Sequence, residues 1–424
     1  MGVTEKRHRV LLLTQYFAPE ITAGAFRMTT LQEYLLGRGY DVDVITAMPR
    51  KNPVGLTVAD VRVHRVMVTA KSSASKFAYI RNYASFFWRS SWLAVKMHGY
   101  GADVILASSP PITVALGGAL ISAFLRKPLL LDVRDLWPDS IVDAGKLQHG
   151  SLTYRCLVQV ERASYRKANH LFTVSQPMRD HVLSRGGTKV DVVYNGVPFS
   201  DLQYARQLPL QAQPEEQCVS LFYAGNLGLV QDFQFLWDAL PVLAERYKGR
   251  LTVHLIGSGA LAGDCQAAAQ AFPTVMTVED AMPRTSLLAR LRREATLMLV
   301  PLSDGAAMSK TIPSKVFDCL LLQKPVLYHL TGEGESIFKE AQCGARFELN
   351  AQDFLRALDQ VLTGLRELSQ AAQENSLRVL ARYVREDQYQ TIDAAIEKAV
   401  SGGGRHERGV TERNHNEDST SCSM

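Results

Sequence analysis

The sequence predicts an α/β protein with two doubly wound parallel sheets that face each other across a cleft. Short β-branched segments alternate with helical stretches, which is typical of parallel strands joined by crossover helices. This alternation stops near residue 200 and restarts near residue 218, so it indicates two domains. Ligands bind outside the carboxyl ends of the strands in such sheets, and the cleft is therefore the expected binding site.

Each domain is predicted from its own run of strands. The first run covers residues 10–14, 42–46, 61–66, 104–107, 129–133, 171–174 and 190–194. The second run covers residues 218–223, 251–256, 275–277, 297–300 and 325–328. Helical patterns lie between most of these segments, which favours crossover connections over hairpins.

The domain limits follow from where the pattern breaks. Residues 1–200 form the predicted first domain and residues 217–384 the second. The break at 199–216 contains Pro and Gln without periodicity, so residues 201–216 are predicted to be the linker. A helix over 385–400 could pack on either domain, including back on the first. Residues 401–424 have no aliphatic core former except Val410 and are predicted to be disordered.

Composition points to a globular enzyme of a reducing compartment. The chain has 424 residues, of which 46% are hydrophobic and 21% charged. Its six cysteines are scattered without Cys-x-x-Cys spacing, which favours the cytoplasm. The apolar run near the N-terminus is too short for a signal peptide, and residues 112–125 are too short to span a bilayer. The histidines show no metal-ligand spacing.

The charge distribution separates the two halves. Residues 1–215 hold 26 Lys and Arg against 16 Asp and Glu, whereas residues 216–424 hold 21 against 26. Residues 61–102 contain seven Lys and Arg, eight aromatic residues and no Asp or Glu. Basic and aromatic residues together suit the interface of an anionic membrane. A nucleic-acid surface would need a motif that the sequence lacks, and a core helix is the remaining alternative.

The stretch 304–336 predicts an anion site. Pro313 can occupy the first turn of a helix, so Ser314 and Lys315 would lie where free N–H groups favour a phosphate. Asp318 would follow one turn later and could bind a sugar diol. After a strand at 325–328, residues 332–335 are predicted to form a flexible acidic loop.

In each domain, the first strand is followed by a turn that contains glycine. Gly225, Asn226 and Gly228 could turn backbone N–H groups toward a phosphate. Gly24 would permit close approach of the backbone, and Arg27 could meet a phosphate near the helix start. The spacing is not that of a dinucleotide fingerprint, and an ordinary turn remains the alternative for each.

A cluster of polar residues ends the strand at 129–133. Arg134, Asp135 and Trp137 follow Asp132 within a few residues. Charges at the carboxyl end of a buried strand are costly unless they serve a ligand or pair with each other. A ligand site is therefore the favoured interpretation, and an internal Asp–Arg ion pair is the alternative.

Several motifs together resemble family 4 of the retaining GT-B glycosyltransferases. They are YFAPEITAGAFRM, RDLWPDS, VYNGV, YAGNLG and SKTIPSKVFDCLLLQKPVL, which occur in the family's order between about residues 9 and 395. The branch that looks most similar contains O-antigen and capsule enzymes of the fucosamine transferase type. The resemblance implies a hexosyl- or N-acetylhexosaminyl-type transferase with a nucleotide-sugar donor, usually UDP-linked. It also implies no metal or other cofactor and a lipid-linked saccharide acceptor.

The resemblance also implies roles for individual residues. Asp318 matches the second of two family glutamates, which usually binds the donor ribose, whereas Lys310 stands where the first would be. The family's Arg and Lys beside the donor diphosphate are absent at Asn226, so Lys315 is the candidate replacement, with Arg27 across the cleft.

Asp135 would orient or deprotonate the acceptor, with Arg134 and Trp137 on the acceptor side. Glu333 and Glu335 would bind hydroxyls of the transferred sugar. The predicted location is the cytoplasmic face of the inner membrane, contacted through residues 61–102, with no nucleic-acid partner.

Two other functions remain open on the sequence. A nucleotide-sugar epimerase can share the two-domain shape but needs no basic aromatic surface, so liposome binding separates it from the transferase. A non-catalytic nucleotide- or carbohydrate-binding protein would bind donors without turnover, because this fold alone specifies no chemistry.

Overall fold

The computed structural model describes residues 7–20, 22–49, 62–69, 76–97, 101–209 and 219–411, with side chains except those of 76, 77 and 402–411. Within these residues the chain forms two parallel sheets, one of seven strands and one of six. This arrangement confirms the predicted fold class of two Rossmann-like α/β domains. No helix of the described part has an apolar stretch long enough to cross a bilayer.

The first sheet is built from the N-terminal half of the chain. Its strands and helices are β1 (Arg9–Thr14), α1 (Ala23–Gly37), β2 (Asp41–Ala47), β3 (Val63–Val66), α2 (Lys76–Lys96), β4 (Val104–Ser109), α3 (Ile112–Leu125), β5 (Leu129–Val133), α4 (Asp139–Asp143), α5 (Leu152–Lys167), β6 (His170–Thr173), α6 (Gln176–Ser184) and β7 (Val190–Val192). The strand order is β3-β2-β1-β4-β5-β6-β7. Because β1 pairs with both β2 and β4, the order reverses beside β1, where ligands bind in doubly wound sheets.

The second sheet repeats this topology with six strands. Its elements are α7 (Phe199–Gln207), β8 (Val219–Ala224), α8 (Gln234–Arg246), β9 (Leu251–Ile256), α9 (Ala262–Ala271), β10 (Met276–Glu279), α10 (Arg284–Glu294), β11 (Leu297–Pro301), α11 (Ser314–Leu322), β12 (Val326–His329), α12 (Glu333–Ala341), β13 (Gly344–Arg346), α13 (Ala351–Thr363), α14 (Leu365–Leu380) and α15 (Arg385–Thr411). The order is β10-β9-β8-β11-β12-β13, so the reversal lies beside β8. The short edge strand β13 was not predicted, since its three residues form no apolar run.

The segment expected to be a linker begins with a helix. Helix α7 packs Leu202 and Ala205 into the core of the second domain, beside Phe222 and Val316. Its two buried residues are three apart, a spacing that is too short to reveal periodicity in a stretch rich in Gln. Residues 210–218 lie outside the described part.

The last helix packs against the first sheet. Tyr389, Ile392 and Ile396 of α15 are fully buried in the same core cluster as Val10 and Leu12 of β1. The helix runs to Thr411, eleven residues beyond Val400, although the sequence predicted disorder from residue 401. Residues 412–424 lie outside the described part.

The chain therefore crosses between the domains twice, and the two crossings lie side by side. Val197 N donates to Tyr383 O at 3.0 Å, and Arg385 N donates to Val197 O at 2.8 Å. The Arg385 guanidinium also donates to the carbonyls of Asn195 and Gly196 at 2.8 and 3.1 Å. Gly196 has a φ of +46°, and a β-carbon there would lie 2.0 Å from Tyr383 O. Close backbone contact thus joins the two crossings.

Candidate functional site

The turn after β8 offers one free backbone donor. The amides of Gly225, Leu227 and Gly228 donate to protein oxygens at 2.9, 2.9 and 3.0 Å. The amide of Asn226 has no such partner among the described residues, so it is the donor that this turn can present to a ligand. A β-carbon on Gly257 would lie 1.8 Å from Gly225 O, so the backbone of the turn after β9 packs directly against the turn after β8.

Helix α11 begins where the sequence predicted it. Pro313 is the N-cap, with φ −60° and ψ 139°, and Ser314 and Lys315 are the first helical residues. The N–H groups of Ser314 and Lys315 have no intrahelical acceptor, and the helix dipole places partial positive charge beside them. This helix end is therefore suited to an anion.

Lys315 extends from α11 to the turn after β8. A β-carbon added to Gly225 would lie 2.8 Å from Lys315 Nζ, and the ammonium lies 4.8 Å from the centre of the Tyr223 ring. No carboxylate of the described part lies within 4.0 Å of the ammonium. Burial lowers the pKa of Lys315 to about 8, against the opposing charge of Asp318. A phosphate here would supply the missing counter-charge.

Asp318 lies one turn further along α11 and is already paired. Arg284 at the start of α10 donates to Asp318 Oδ1 at 2.5 Å and to Asp201 Oδ2 of α7 at 2.9 Å. Burial disfavours the charged form of Arg284, but the two carboxylates outweigh it and raise its pKa. The guanidinium holds one oxygen of Asp318, and Oδ2 makes no such contact with the described residues.

The predicted acidic loop is the first turn of a helix. Gly332 is the N-cap of α12 with a φ of +69°, and both glutamates are helical, which corrects the loop prediction. Glu333 accepts from Tyr194 Oη at 2.5 Å and from the Gln176 amide at 2.8 Å. Both donors belong to the first domain, so Glu333 joins the two domains. Burial and this hydrogen bond raise the pKa of Tyr194.

Glu335 is turned toward its own domain. Its Oε1 lies 2.7 Å from Lys339 Nζ, one helical turn later, and 3.8 Å from Arg346 Nε. Its side chain is 18% exposed. These two cations satisfy the carboxylate in place, and its predicted role as a sugar ligand would require it to leave them.

Arg27 lies inside the first domain, which corrects its prediction as a phosphate ligand. Its residue surface is fully buried, and Nε and Nη2 form a bidentate pair with Asp132 at 3.2 and 2.9 Å. Its remaining N–H groups donate to Val193 O, Tyr194 O and Asn195 Oδ1. All five donors are thereby used, so none is left for a phosphate. Burial lowers the pKa of Arg27, but Asp132 outweighs it and the net shift is upward.

Arg134 has a donor without a partner. Its Nε donates to Ser108 Oγ at 2.8 Å and lies 3.6 Å from Asp132, a carboxylate that Arg27 already occupies. The side chain is 10% exposed, and its Nη2 is buried without a hydrogen-bond partner in the described part. Burial lowers its pKa. A β-carbon on Gly24 would lie 2.5 Å from Nη1, so glycine at the start of α1 makes room for this guanidinium.

Asp135 is held by its neighbours. Trp137 Nε1 donates to Asp135 Oδ2 at 3.2 Å, and Ser140 and the Leu136 amide also donate to the carboxylate. Burial nevertheless raises the pKa of Asp135 above its ordinary value. Trp137 also meets Tyr83 of α2 edge-on, with ring centres 5.6 Å apart. A contact path therefore leads from α2 to this carboxylate.

Asp143 of the first domain binds the loop before α11. Its Oδ2 accepts from the amides of Ala307 and Met308 at 2.7 and 3.2 Å. A β-carbon on Gly305 would lie 2.5 Å from the same oxygen. This carboxylate thus fixes the 305–308 turn against the first domain.

Lys310 also lies at the interface between the domains. Its carbonyl accepts from Ser175 Oγ, and its Nζ lies 3.3 Å from His181 Nδ1. The residue that stands in place of the missing family glutamate therefore contacts the first domain.

The structure brings the predicted residues together in two groups. Lys315, Asp318 and the 225–228 turn form the group in the second domain. Gly24, Arg134, Asp135 and Trp137 form the group at the carboxyl edge of the first sheet. No group of three or more His, Cys, Asp or Glu side chains in the described ranges is arranged to hold a metal ion.

Sequence reasoning missed three residues of this site. They are Arg284, which holds Asp318, and Tyr194 and Asp143, which join the domains. Arg284 follows a proline at a helix start, which was a usable signal. The other two contacts span more than 130 positions of the chain, and no local pattern encodes them.

Comparison with known proteins relates the sequence to glycosyltransferases. Residues 23–196 match the glycosyl transferase 4-like domain family. A probable glycosyltransferase of Pseudomonas aeruginosa, WbjE, is 23% identical over 244 residues. That alignment covers 53% of this chain, and the chain spans 56% of the length of this curated relative.

Solved structures cover nearly the whole chain at low identity. Sucrose-phosphate synthase from Thermosynechococcus elongatus superposes with a TM-score of 0.70 at 13% identity, covering 93% of this chain and 100% of that one. WaaG, a glycosyltransferase involved in lipopolysaccharide biosynthesis, gives 0.65 at 15% identity, covering 92% and 98%. HepE of Anabaena in complex with UDP-glucose gives 0.62 at 14% identity, covering 92% and 99%. These likenesses establish the GT-B fold, and the family match covers residues 23–196 of it.

Proposed function

We propose that the protein is a retaining glycosyltransferase that moves a sugar from a UDP-sugar to a lipid-linked saccharide. The product would belong to a surface polysaccharide such as O-antigen, capsule or exopolysaccharide. The match to the glycosyl transferase 4-like domain supports the reaction class. HepE was solved with UDP-glucose and WaaG acts in lipopolysaccharide biosynthesis, which supports the donor and pathway classes by analogy.

The observation that carries the proposal is the uncompensated charge of Lys315. The ammonium lies between the 225–228 turn and the start of α11, with no carboxylate of the described part in ion-pair contact. A diphosphate between these elements would meet the ammonium, the Asn226 amide and the first amides of α11. Asp318 Oδ2, one turn further along the helix, is then available for the ribose hydroxyls.

The same groups would assist bond cleavage. Transfer leaves negative charge on the nucleoside diphosphate, and positive groups already in place stabilise that charge without reorganisation. In front-face retaining transfer, the leaving phosphate helps to deprotonate the acceptor hydroxyl. Asp135 would orient that hydroxyl, and its raised pKa suits a group that accepts a proton.

Arg134 is the proposed contact for an acidic group of the acceptor. Its unpartnered Nη2 lies beside the start of α1, where Gly24 leaves space. Arg27 and Ser108 already donate to Asp132, so the charge of Arg134 is only partly balanced. A phosphate of a lipid-linked acceptor would complete this pairing.

The outer surface of α2 and α3 is the proposed membrane contact. Trp88 and Trp92 are 70% and 63% exposed, and Phe124 of α3 is 67% exposed. Lys96 lies over the Trp92 ring, with its Nζ 4.8 Å from the ring centre. Aromatic rings beside cations suit the headgroup region of an anionic bilayer. Through Tyr83 and Trp137, the cleft end of α2 adjoins Asp135, so an acceptor held in the bilayer could reach the site.

The donor half is tested with UDP-, GDP- and dTDP-sugars. A thermal-shift screen identifies the donor, since a bound donor raises the melting temperature by mass action. Transfer to a membrane lipid extract is then measured for wild type, Lys315→Ala and Asp318→Ala. Lys324→Ala is the matched control, because burial also lowers the pKa of Lys324 to about 8 in the same domain. Wild-type transfer rates in both site variants would refute the assignment.

The membrane half is tested by vesicle flotation. Vesicles of phosphatidylcholine with phosphatidylglycerol are mixed with wild type and with Trp88→Ser/Trp92→Ser. Burying half of the surface of one Trp side chain in the bilayer stabilises binding by about 2 kcal/mol, at roughly 25 cal/mol per Å². Loss of both Trp side chains should therefore lower vesicle binding by more than about 30-fold. Trp237→Ser in the second domain serves as the control. Unchanged binding of the double variant would remove the membrane from the proposal.

A further inference from the structure

A cavity lies at the edge of the first sheet opposite the candidate site. It has a volume of about 630 Å³ and is lined by the ends of α3 and α5, the starts of β5, β6 and β7, and the outer part of α15. Since all strands of this sheet are parallel, their amino ends lie at one edge and the cleft at the other. The strand β5 of five residues separates the edges by about 17 Å. The cavity is therefore distinct from the donor and acceptor groups.

The cavity is lined by cations without carboxylates. Its charged lining residues are Arg126, Lys127, Lys167, Lys189 and Lys398, with His170 beside them. None of the five Lys and Arg side chains has an ion-pair partner within the ranges that the structure describes. His170 is paired, with its Nε2 2.7 Å from Asp191. These five cations come from four separate parts of the fold, and Arg126, Lys167, Lys189 and Lys398 are exposed, so an anion that enters would meet positive charge from several sides.

We propose that this cavity binds phosphate groups of an anionic ligand. Lysine is a common ligand of phosphate, and the volume falls within the usual range for small-molecule sites. The neutral polar groups of Ser122 and Asn169 also line it, although Asn169 Oδ1 already accepts from the Leu129 amide. The inference does not depend on the transfer reaction, because no residue of the cleft takes part.

Phosphate can come from a lipid headgroup or from a soluble anion. The headgroup source has structural support, since Arg126 and Lys127 directly follow α3, whose Leu120 and Phe124 are exposed. A bilayer that receives these apolar side chains would bring its phosphates to the rim of the cavity. The soluble source predicts the same cation contacts without any bilayer.

The test uses the full chain with Lys167→Gln/Lys189→Gln. These lysines belong to the cavity but not to the α2–α3 surface, so their loss separates the cavity from that surface. The matched control is Lys248→Gln/Arg250→Gln, which removes the same charge from exposed positions of the second domain. One arm measures binding to vesicles of phosphatidylcholine with phosphatidylglycerol, whose anionic surface attracts each nearby Lys or Arg by about 1 kcal/mol. The other arm measures binding of inorganic pyrophosphate by calorimetry.

The expected result is a selective loss in the cavity variant. Each lysine near an anionic surface contributes about fivefold, so vesicle binding should fall about 30-fold, while the control changes less than about twofold. A loss in the pyrophosphate arm alone would assign the phosphate to a soluble ligand. If the cavity variant and the control bind both probes equally, the proposal is overturned. Donor turnover by the cavity variant is measured in parallel, so a failure of the cavity and a failure of the transferase assignment are distinguishable.

Discussion

The pH dependence of UDP binding tests the role of Lys315 directly. Burial lowers the pKa of Lys315 from 10.5 to about 8, so the ammonium of the free protein loses its proton as the pH rises through 8. A bound diphosphate would supply the counter-charge and return the pKa toward its ordinary value. Above pH 8, UDP binding therefore requires Lys315 to take up a proton. We expect the affinity for UDP to fall by about tenfold from pH 7 to pH 9.

The same shift predicts an opposite effect on stability. A gap of about 2.5 pKa units corresponds to roughly 3 kcal/mol by which the folded state disfavours the charged lysine. This penalty is fully present below pH 8 and is relieved as the pH rises from about 8 to 10.5. Lys315→Met should therefore raise the free energy of unfolding at pH 7 by up to about 3 kcal/mol, while UDP binding is lost.

Calorimetry in buffers of different ionisation enthalpy provides the measurement. At pH 8 the Lys315 side chain is deprotonated in about half of the free protein molecules. Binding of one UDP should therefore be accompanied by the uptake of about half a proton. Lys324→Met is the control, since it removes a lysine with the same lowered pKa away from the site and should leave proton uptake unchanged. The reasoning is refuted if wild type binds UDP equally at pH 7 and pH 9, or if Lys315→Met retains the affinity.

Three further predictions concern the other groups of the site. Arg27→Met should destabilise the protein by about 3–5 kcal/mol in urea unfolding, because Asp132 is left buried without its partner; native stability with lost UDP affinity would instead restore Arg27 as a phosphate ligand. Asp135→Asn should lower transfer by about 10²–10⁴-fold at unchanged UDP affinity, and the wild-type rate should fall with decreasing pH at a pKa above the ordinary aspartate value; transfer at the native rate would exclude it as the base. Tyr194→Phe should raise the donor KM by about 3–10-fold because it removes the inter-domain hydrogen bond to Glu333, whereas Glu333→Gln should raise it less because the amide oxygen can still accept this bond; a much larger loss in Glu333→Gln would identify that carboxylate as a sugar ligand.

The parts of the site that the sequence predicted are those set by local backbone chemistry. Pro313 marks a helix start because its ring suits that position, and Lys315 follows from it. Twelve strands were found because buried parallel strands are continuous apolar runs. The two glycines at 332 and 334 favour a loop, but residues 333–341 are helical, and Glu335 and Lys339 have the spacing of a helical ion pair.

The errors arise where a contact depends on distant parts of the chain. Arg27 was assigned to a phosphate because it lies near a helix start, but its partner Asp132 is 105 residues away. Of the two interpretations of residues 132–135, the structure shows the internal ion pair, and the ligand role of Arg134 stays a prediction. Asp132 pairs internally with Arg27, whereas Arg134 retains a donor without a partner.

The return of α15 to the first sheet has a consequence for synthesis on the ribosome. Tyr389, Ile392 and Ile396 complete the core beside β1, but they are translated about 200 residues after β7 ends. At roughly 5–20 residues per second, the first domain must wait about 10 to 40 s with an apolar face uncovered. A fragment ending near residue 200 would keep that face exposed permanently. A circular permutant that places residues 385–411 ahead of residue 7 should therefore be the form in which the first domain folds by itself.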